Sequence, residues 1–307
     1  MARAAGVPSA RPFPTASTAR PGGFGLGEWS VPLLALPAAA FLVALFIYPF
    51  LYGLDLSLRP DGNLSVANYL AFFQDPRQRD AILITFQIAL PVSIANVVLA
   101  VPLALYMRRG VVGERIVNTL LVLPVTLGTV LIAEGMLSYF GPRGWFSQAV
   151  THLPGVSEPP RLTHNMLGVQ LSLLLQGLPF SFLLLLGHAS GIDPALERAA
   201  AMLGATRWQT FRRITLPLMA PGIAIAFSLS FVANFSVFPS AVLVGQPSGP
   251  TRVLAIAAFQ AAFEQFNWSM GSTIAIIMAV IELLVIVLVL AWRERLYKGA
   301  ASGAAKG

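Results

Sequence analysis

The feature that most constrains this chain is a set of six apolar stretches, each long enough to cross a lipid bilayer. They lie at about 31–53, 81–107, 116–140, 166–188, 218–243 and 270–292. A spanning helix needs about 20 predominantly apolar residues, and every stretch meets that length. In lipid each backbone polar group must be satisfied within the chain, which leaves helices for runs as long as these. Composition agrees. Of 307 residues 56% are hydrophobic and only 11% are charged, with a mean hydropathy of +0.73. Soluble domains carry roughly 25% charged residues, and a soluble fold of this size could not hide so much apolar surface. The sequence therefore predicts an all-α integral membrane protein with six transmembrane helices, using membrane lipid as part of its solvent.

Residues 1–30 are rich in Pro, Gly, Ala and Ser and contain Arg3, Arg11 and Arg20. They are expected to form a disordered tail. No small-residue cleavage site follows the stretch at 31–53 closely, so it is expected to remain as an anchor. Basic residues then set the orientation. With the N-terminus inside, the inner segments (1–30, 108–115, 189–217 and 293–307) hold 14 Lys and Arg. The outer loops (54–80, 141–165 and 244–269) hold 6. The excess predicts both termini in the cytoplasm, with 293–307 as a C-terminal tail. Trp29, Trp145, Trp268 and Trp292 fall near span ends, where interfacial indoles belong. The net charge of +7 comes from 18 Arg and 2 Lys in short runs between apolar segments. It reports topology, and nucleic acid is not expected as a partner. No internal repeat supports an inverted-repeat secondary transporter.

The segment 189–217 carries the functional signal. Asp193 is a good N-cap and Pro194 suits the first helical position. Residues 195–203 are mostly strong helix formers, and Gly204 is a natural stop. Thr206 and Gln209 have the spacing of a capping box for a second short helix. Pro217 either limits that helix or marks where the fifth span begins. The expected result is two short helices joined at Gly204-Ala205. Ala195, Ala199 and Met202 share one face of the first helix, with Leu196 and Leu203 beside them. Small residues let another surface approach closely, and Met and Leu offer an apolar knob. Arg207, Arg212 and Arg213 follow. Two readings fit: a helix held on anionic lipid by its arginines, or a docking element for another protein.

The segment resembles the EAA loop of permeases in ATP-binding-cassette (ABC) importers. That pattern has Glu-Ala-Ala, a Gly six residues after the Glu, then Ile-x-Leu-Pro. Here the matching residues are Ala199-Ala200, Gly204-Ala205 and Ile214-Thr215-Leu216-Pro217. One position departs from the pattern: Arg198 stands where the family has its Glu, and Glu197 lies one residue earlier. The resemblance implies the type I ABC importer permease fold, in a bacterial inner membrane. It also implies that Glu197, Arg198, Ala199, Ala200, Met202, Leu203, Gly204, Ala205 and Arg207 couple to an ATPase. The implied partners are a dimer of ATPase subunits, a second permease subunit (identical or related) and a periplasmic solute-binding protein. ATP and Mg would sit on the partner ATPase, and no cofactor is expected in this chain. The only lysines, Lys298 and Lys306, lie outside any Gly-Lys-Ser/Thr sequence, so the chain has no P-loop of its own.

Polar groups inside spans are costly and tend to be functional or paired. Glu134, in the third span, and Glu282, in the sixth, could each line a solute path or bond within the bundle. Ser230 and Asn234 with Ser236 in the fifth span, and Gln176 in the fourth, are further candidates for the substrate path. Helix packing explains them at least as well. His188 reads as interfacial. No His/Asp/Glu cluster has metal-ligand spacing, and the absence of cysteine excludes thiol sites. The stretch 252–272 resembles the spermidine/putrescine branch of these permeases. The iron, sulfate, thiamine and aminoethylphosphonate branches look alike there. An ion-driven secondary transporter and a membrane enzyme are the competing classes, but the scattered acids form no catalytic motif.

Overall fold

The computed structural model describes residues 30–60, 62–110, 113–152 and 162–304. The tail expected over 1–30 lies almost wholly outside these residues, as do Trp29, Arg161 and Lys306. The described residues contain helices and turns and no strand. Six helices are long and apolar enough to cross a membrane: Leu36–Ser57, Pro76–Met107, Ile116–Thr151, Met166–Ser190, Arg207–Phe235 and Trp268–Arg293. They are called the first to sixth long helices below.

The chain divides into two compact units, Met1–Leu51 and Tyr52–Gly307. In the first, the described part is a helix from Ser30 that passes through a π-type turn at Val43–Ile47. The second unit holds the packed bundle. Its second long helix starts at Pro76 because Asp75 caps it, accepting from the Arg77 amide at 2.9 Å. That helix lies against the fourth and the fifth, and the fifth also packs on the sixth. Small buried residues on the second helix (Ala81, Ala89, Ala100 and Ala104) let these neighbours come close. Phe182, Leu185 and Met219 fill the core at one end, and Phe72, Phe231, Phe235 and Leu254 fill it at the other.

Several elements differ from the sequence expectation. The fifth span, expected over 218–243, ends as a helix at Phe235. A break at 236–238 precedes a short helix, Pro239–Leu243. Proline disfavours helical backbone in the residue before it, and Phe238 sits at φ −126 and ψ −58. The third long helix kinks at Gly128, whose φ is +73. Glycine alone takes such an angle without strain. The segment 244–269, expected as an outer loop, is largely ordered as helix and turn. It holds a helix, Leu254–Phe259, running through a π-type turn to Glu264, with Leu254, Ile256 and Ala257 buried. Its first amide needs an acceptor and finds the Thr85 hydroxyl at 2.9 Å. At the other terminus the sixth long helix continues as helix to Ala304, through most of the expected tail.

Burial is uneven. Half of the apolar window of the second long helix is buried, against 11% for the third and the sixth. The third and sixth therefore keep broad apolar faces for lipid or another chain.

Candidate functional site

The loop after the fourth long helix is built from strong local signals. Asp193 accepts from the Ala195 amide at 2.8 Å and caps the helix Pro194–Met202. Gly204 ends it with φ +81. The Gly204 amide donates to the Ala201 carbonyl and the Ala205 amide to the Ala200 carbonyl, both at 3.0 Å. This paired return is a Schellman motif, which needs a left-handed residue where Gly204 stands. Thr206 and Gln209 then form the reciprocal capping box. The Gln209 amide donates to Thr206 Oγ1 at 3.2 Å, and the Thr206 amide donates to Gln209 Oε1 at 2.8 Å.

The second short helix of the loop is not a separate piece. Arg207–Thr210 passes through a π-type turn, Phe211–Thr215, directly into Leu216–Phe235. Pro217 therefore does not limit the short helix but lies inside the continuous helix Arg207–Phe235, just after the π-type turn. A proline inside a helix clashes with the carbonyl four residues earlier. A wider turn just before it relieves that crowding.

Helical phase divides the first short helix into two faces. Glu197 and Ala200, three residues apart, turn toward the bundle: Ala200 is buried and Glu197 half-buried. Arg198, Ala199 and Met202 turn outward. Met202 is 83% exposed and Leu203 89%, so the tip of the loop is an apolar knob in open space. Arg207 is exposed beside it, as is Trp208, whose ring meets Phe211 at 5.5 Å between centroids. Ala205 is half-buried at the joint.

Glu197 is bonded to two long helices at once. The Arg108 guanidinium, at the end of the second, donates to Oε1. Thr215, at the base of the fifth, donates to the same oxygen at 2.9 Å. Arg109 Nη2 stands 3.9 Å from Oε2. Arg108 also donates to the Ala189 carbonyl at 3.4 Å, near the end of the fourth long helix. Partial burial pushes the Glu197 carboxyl up. The Thr215 and Arg108 hydrogen bonds and the charges of Arg108 and Arg109 outweigh that and hold it below the usual carboxylate range. Sequence reasoning singled out Glu197 but missed Arg108 and Thr215. Arg108 lies 89 residues away along the chain, and the excess of basic residues at that turn was its only signal.

The intramembrane candidates separate into three groups. Ser230 and Asn234 are buried between the second and fifth long helices. Asn234 Nδ2 donates to Ser93 at 3.0 Å and to Ser230 at 3.2 Å, and Asn96 Nδ2 donates to Ser230 at 3.0 Å. Gln176 donates to Ser240 at 3.0 Å and to Ser172 at 3.2 Å, tying the fourth helix to the short helix after the break. Both carboxylates are less enclosed. Glu134 is exposed on the third long helix. Glu282 is half-buried and accepts from Ser236, at the break in the fifth span, at 2.5 Å. Nearby, Phe238, Phe259, Phe263 and Trp268 wall a groove of about 460 Å³, in ring contacts of 5.0–5.1 Å. Gly271, Ala275 and Met278 form its floor and continue in helical phase to Glu282. Among the described residues no group of three His, Asp or Glu could hold a metal ion.

Six helices long and apolar enough to span, with a tightly capped loop between the fourth and the fifth, define a multi-pass membrane protein. The chain belongs to the family described as binding-protein-dependent transport system inner membrane component, which matches residues 96–300. It is similar to the trehalose transport system permease protein SugA of Mycobacterium tuberculosis, with 29% identity over 80% of this chain and 82% of that protein. It is also similar to the sulfate transport system permease protein CysT of Escherichia coli, with 25% identity over 82% of this chain and 89% of that one. The fold matches a chain of a solved bacterial ABC transporter that imports alginate, with a TM-score of 0.76 and 20% identity. That match covers 87% of this chain and 96% of the other. The protein is thus the permease component of an ABC importer in the inner membrane, not an enzyme, and ATP hydrolysis lies in a partner subunit.

Proposed function

We propose that residues 194–213 form the coupling element of this permease, docking on an ATP-binding subunit at the cytoplasmic face. The exposed apolar knob of Met202 and Leu203 carries this reading. An apolar tip held by a capped helix and a Schellman turn is suited to fill a pocket on another protein. Both termini then lie in the cytoplasm, as the Lys and Arg distribution favours. One loop per chain calls for a second permease subunit opposite a pair of ATPases, and the exposed faces of the third and sixth long helices are suited to receive it. ATP closes the ATPase pair, the loops follow, and the spans switch access from one side to the other. A binding protein delivers the solute.

The decisive experiment is Met202→Asp in the assembled transporter. A buried hot-spot contact is worth about 2 kcal/mol or more, so recovery of the ATPase subunit with the purified permease should weaken about 30-fold in affinity. Unchanged recovery together with unchanged uptake would remove the assignment.

The solute is a small polar molecule. A polyamine is the candidate that the 252–272 resemblance favours, and Glu134 and Glu282 have the sign that suits a cation. Relatives named for trehalose, sulfate and ferric transport span sugars, anions and metals, so they single out no class. For a polyamine, the cognate binding protein should show an acidic, aromatic pocket in a ligand screen. An arginine-lined pocket binding an anion would overturn that choice.

A further inference from the structure

Past its N-cap, Asp193, the loop contains a single carboxylate, and it faces inward. Glu197 is the only Asp or Glu between Pro194 and Pro217. Its Oε1 accepts from both Arg108 and Thr215, and Oε2 faces Arg109. The Arg108 side chain is only 8% exposed. Such a pair is tied firmly, because freeing the carboxylate would leave a nearly buried guanidinium without its counter-charge.

Glycines flank the short helix. Gly191 precedes it and Gly204 follows it, the latter in left-handed conformation. Among the described contacts, Glu197 is the one side chain of Pro194–Met202 that bonds to the long helices. A helix held only at two glycine joints would absorb a push by rotating. Fixed to Arg108 and Thr215, it passes the push to the ends of the second and fifth long helices together. The outward face keeps one charged group, Arg198, which has no partner among the described residues.

We infer that Glu197 is a positioning residue that clamps the loop to the second and fifth spans throughout the transport cycle, and that it never reaches the ATPase. The docking face is accordingly a cationic plug, Arg198 with Ala199, Met202 and Leu203, and it calls for carboxylates on the receiving surface. This inference rests on the coupling-loop reading, but its test reads a different quantity from the Met202→Asp experiment.

The test uses the complete transporter in proteoliposomes, measuring ATPase recovery, ATP hydrolysis and uptake per ATP. Glu197→Gln keeps the size and can still accept from Thr215. It should leave the ATPase bound and lower uptake per ATP about tenfold, within the 5- to 150-fold range of coupling effects. The exchanged pair Arg108→Glu with Glu197→Arg should restore uptake, a rescue that a merely space-filling role would not give. The chain has no cysteine, so Arg108→Cys with Glu197→Cys can be bridged by a short bis-methanethiosulfonate, which forms a disulfide to each thiol and releases two methanesulfinates, given cysteine-free partner subunits. The bridged transporter should still work. Loss of the ATPase subunit in Glu197→Gln would place the carboxylate at the docking surface and overturn the inference. So would a bridge that stops uptake while the ATPase stays bound. Should Met202→Asp leave docking intact, the coupling-loop reading itself fails, whatever Glu197 does.

Discussion

Gly204→Pro should abolish ATP-driven uptake while the chain still inserts in full amount. Gly204 sits at φ +81, and proline is locked near −65°. The substitution also removes the amide that donates to Ala201. Both halves of the Schellman turn are then lost, and the last turn of Pro194–Met202 unravels. Met202 and Leu203 leave the place where a partner pocket would meet them. None of the six spanning helices includes residue 204, so insertion driven by hydropathy is untouched. Uptake should fall at least about tenfold, with the ATPase subunit lost on purification. Gly204→Ala separates angle from chemistry. A β-carbon there meets nothing within 4 Å, and the amide is kept. Only the left-handed backbone penalises it, by about 1 to 2 kcal/mol, so uptake should be largely retained. Normal uptake by Gly204→Pro would show that the turn has no part in coupling.

The contrast between this loop and the rest of the chain explains what could be read in advance. The caps at Asp193, Thr206 and Gln209 and the stop at Gly204 depend on residues within five positions of each other, and such signals survive in any context. The six spans were legible because bilayer thickness imposes a length that tertiary packing cannot change. The break at 236–238, the kink at Gly128 and the buried helix at 254–264 were not. The last is fixed by what lies across the bundle, where Thr85 takes up the Leu254 amide from 169 positions away. The same holds at the site. In the sequence Glu197 could be read only as one of the residues implied to couple to the ATPase, one position before the place of the family's glutamate. Only the placement of Arg108 and Thr215 shows that it turns inward and that Arg198 is left outside. The polar residues of the fifth span teach a related lesson. Ser230 and Asn234 were legible as polar residues in lipid, but the choice between a solute path and a helix joint needed Ser93 and Asn96 in view.

That joint supports a stability prediction of comparable size. Gly177 on the fourth long helix lies against the Asn96 amide of the second, so close that a β-carbon would overlap Nδ2. Asn96 cannot simply swing away. It is fully buried and bonded to Ser230, and no described partner meets its Oδ1. Gly177→Leu must push apart the two helices that pack most closely, or else break the Asn96–Ser230 link. Overpacking costs about 1 to 3 kcal/mol, and an intramembrane hydrogen bond adds about 0.6 to 1.7. The loss should be near 3 kcal/mol, seen as a fall of roughly 10 °C in the melting temperature of the purified chain. Gly177→Ala should cost less, and its cost should nearly vanish in an Asn96→Ala background. There the overlapping amide is gone, the orphaned oxygen goes with it, and Asn234 still serves Ser230. A double-mutant cycle measures this directly. If the costs of Asn96→Ala and Gly177→Ala simply add, the two helices do not meet through this pair, and the polar ladder does not set their spacing.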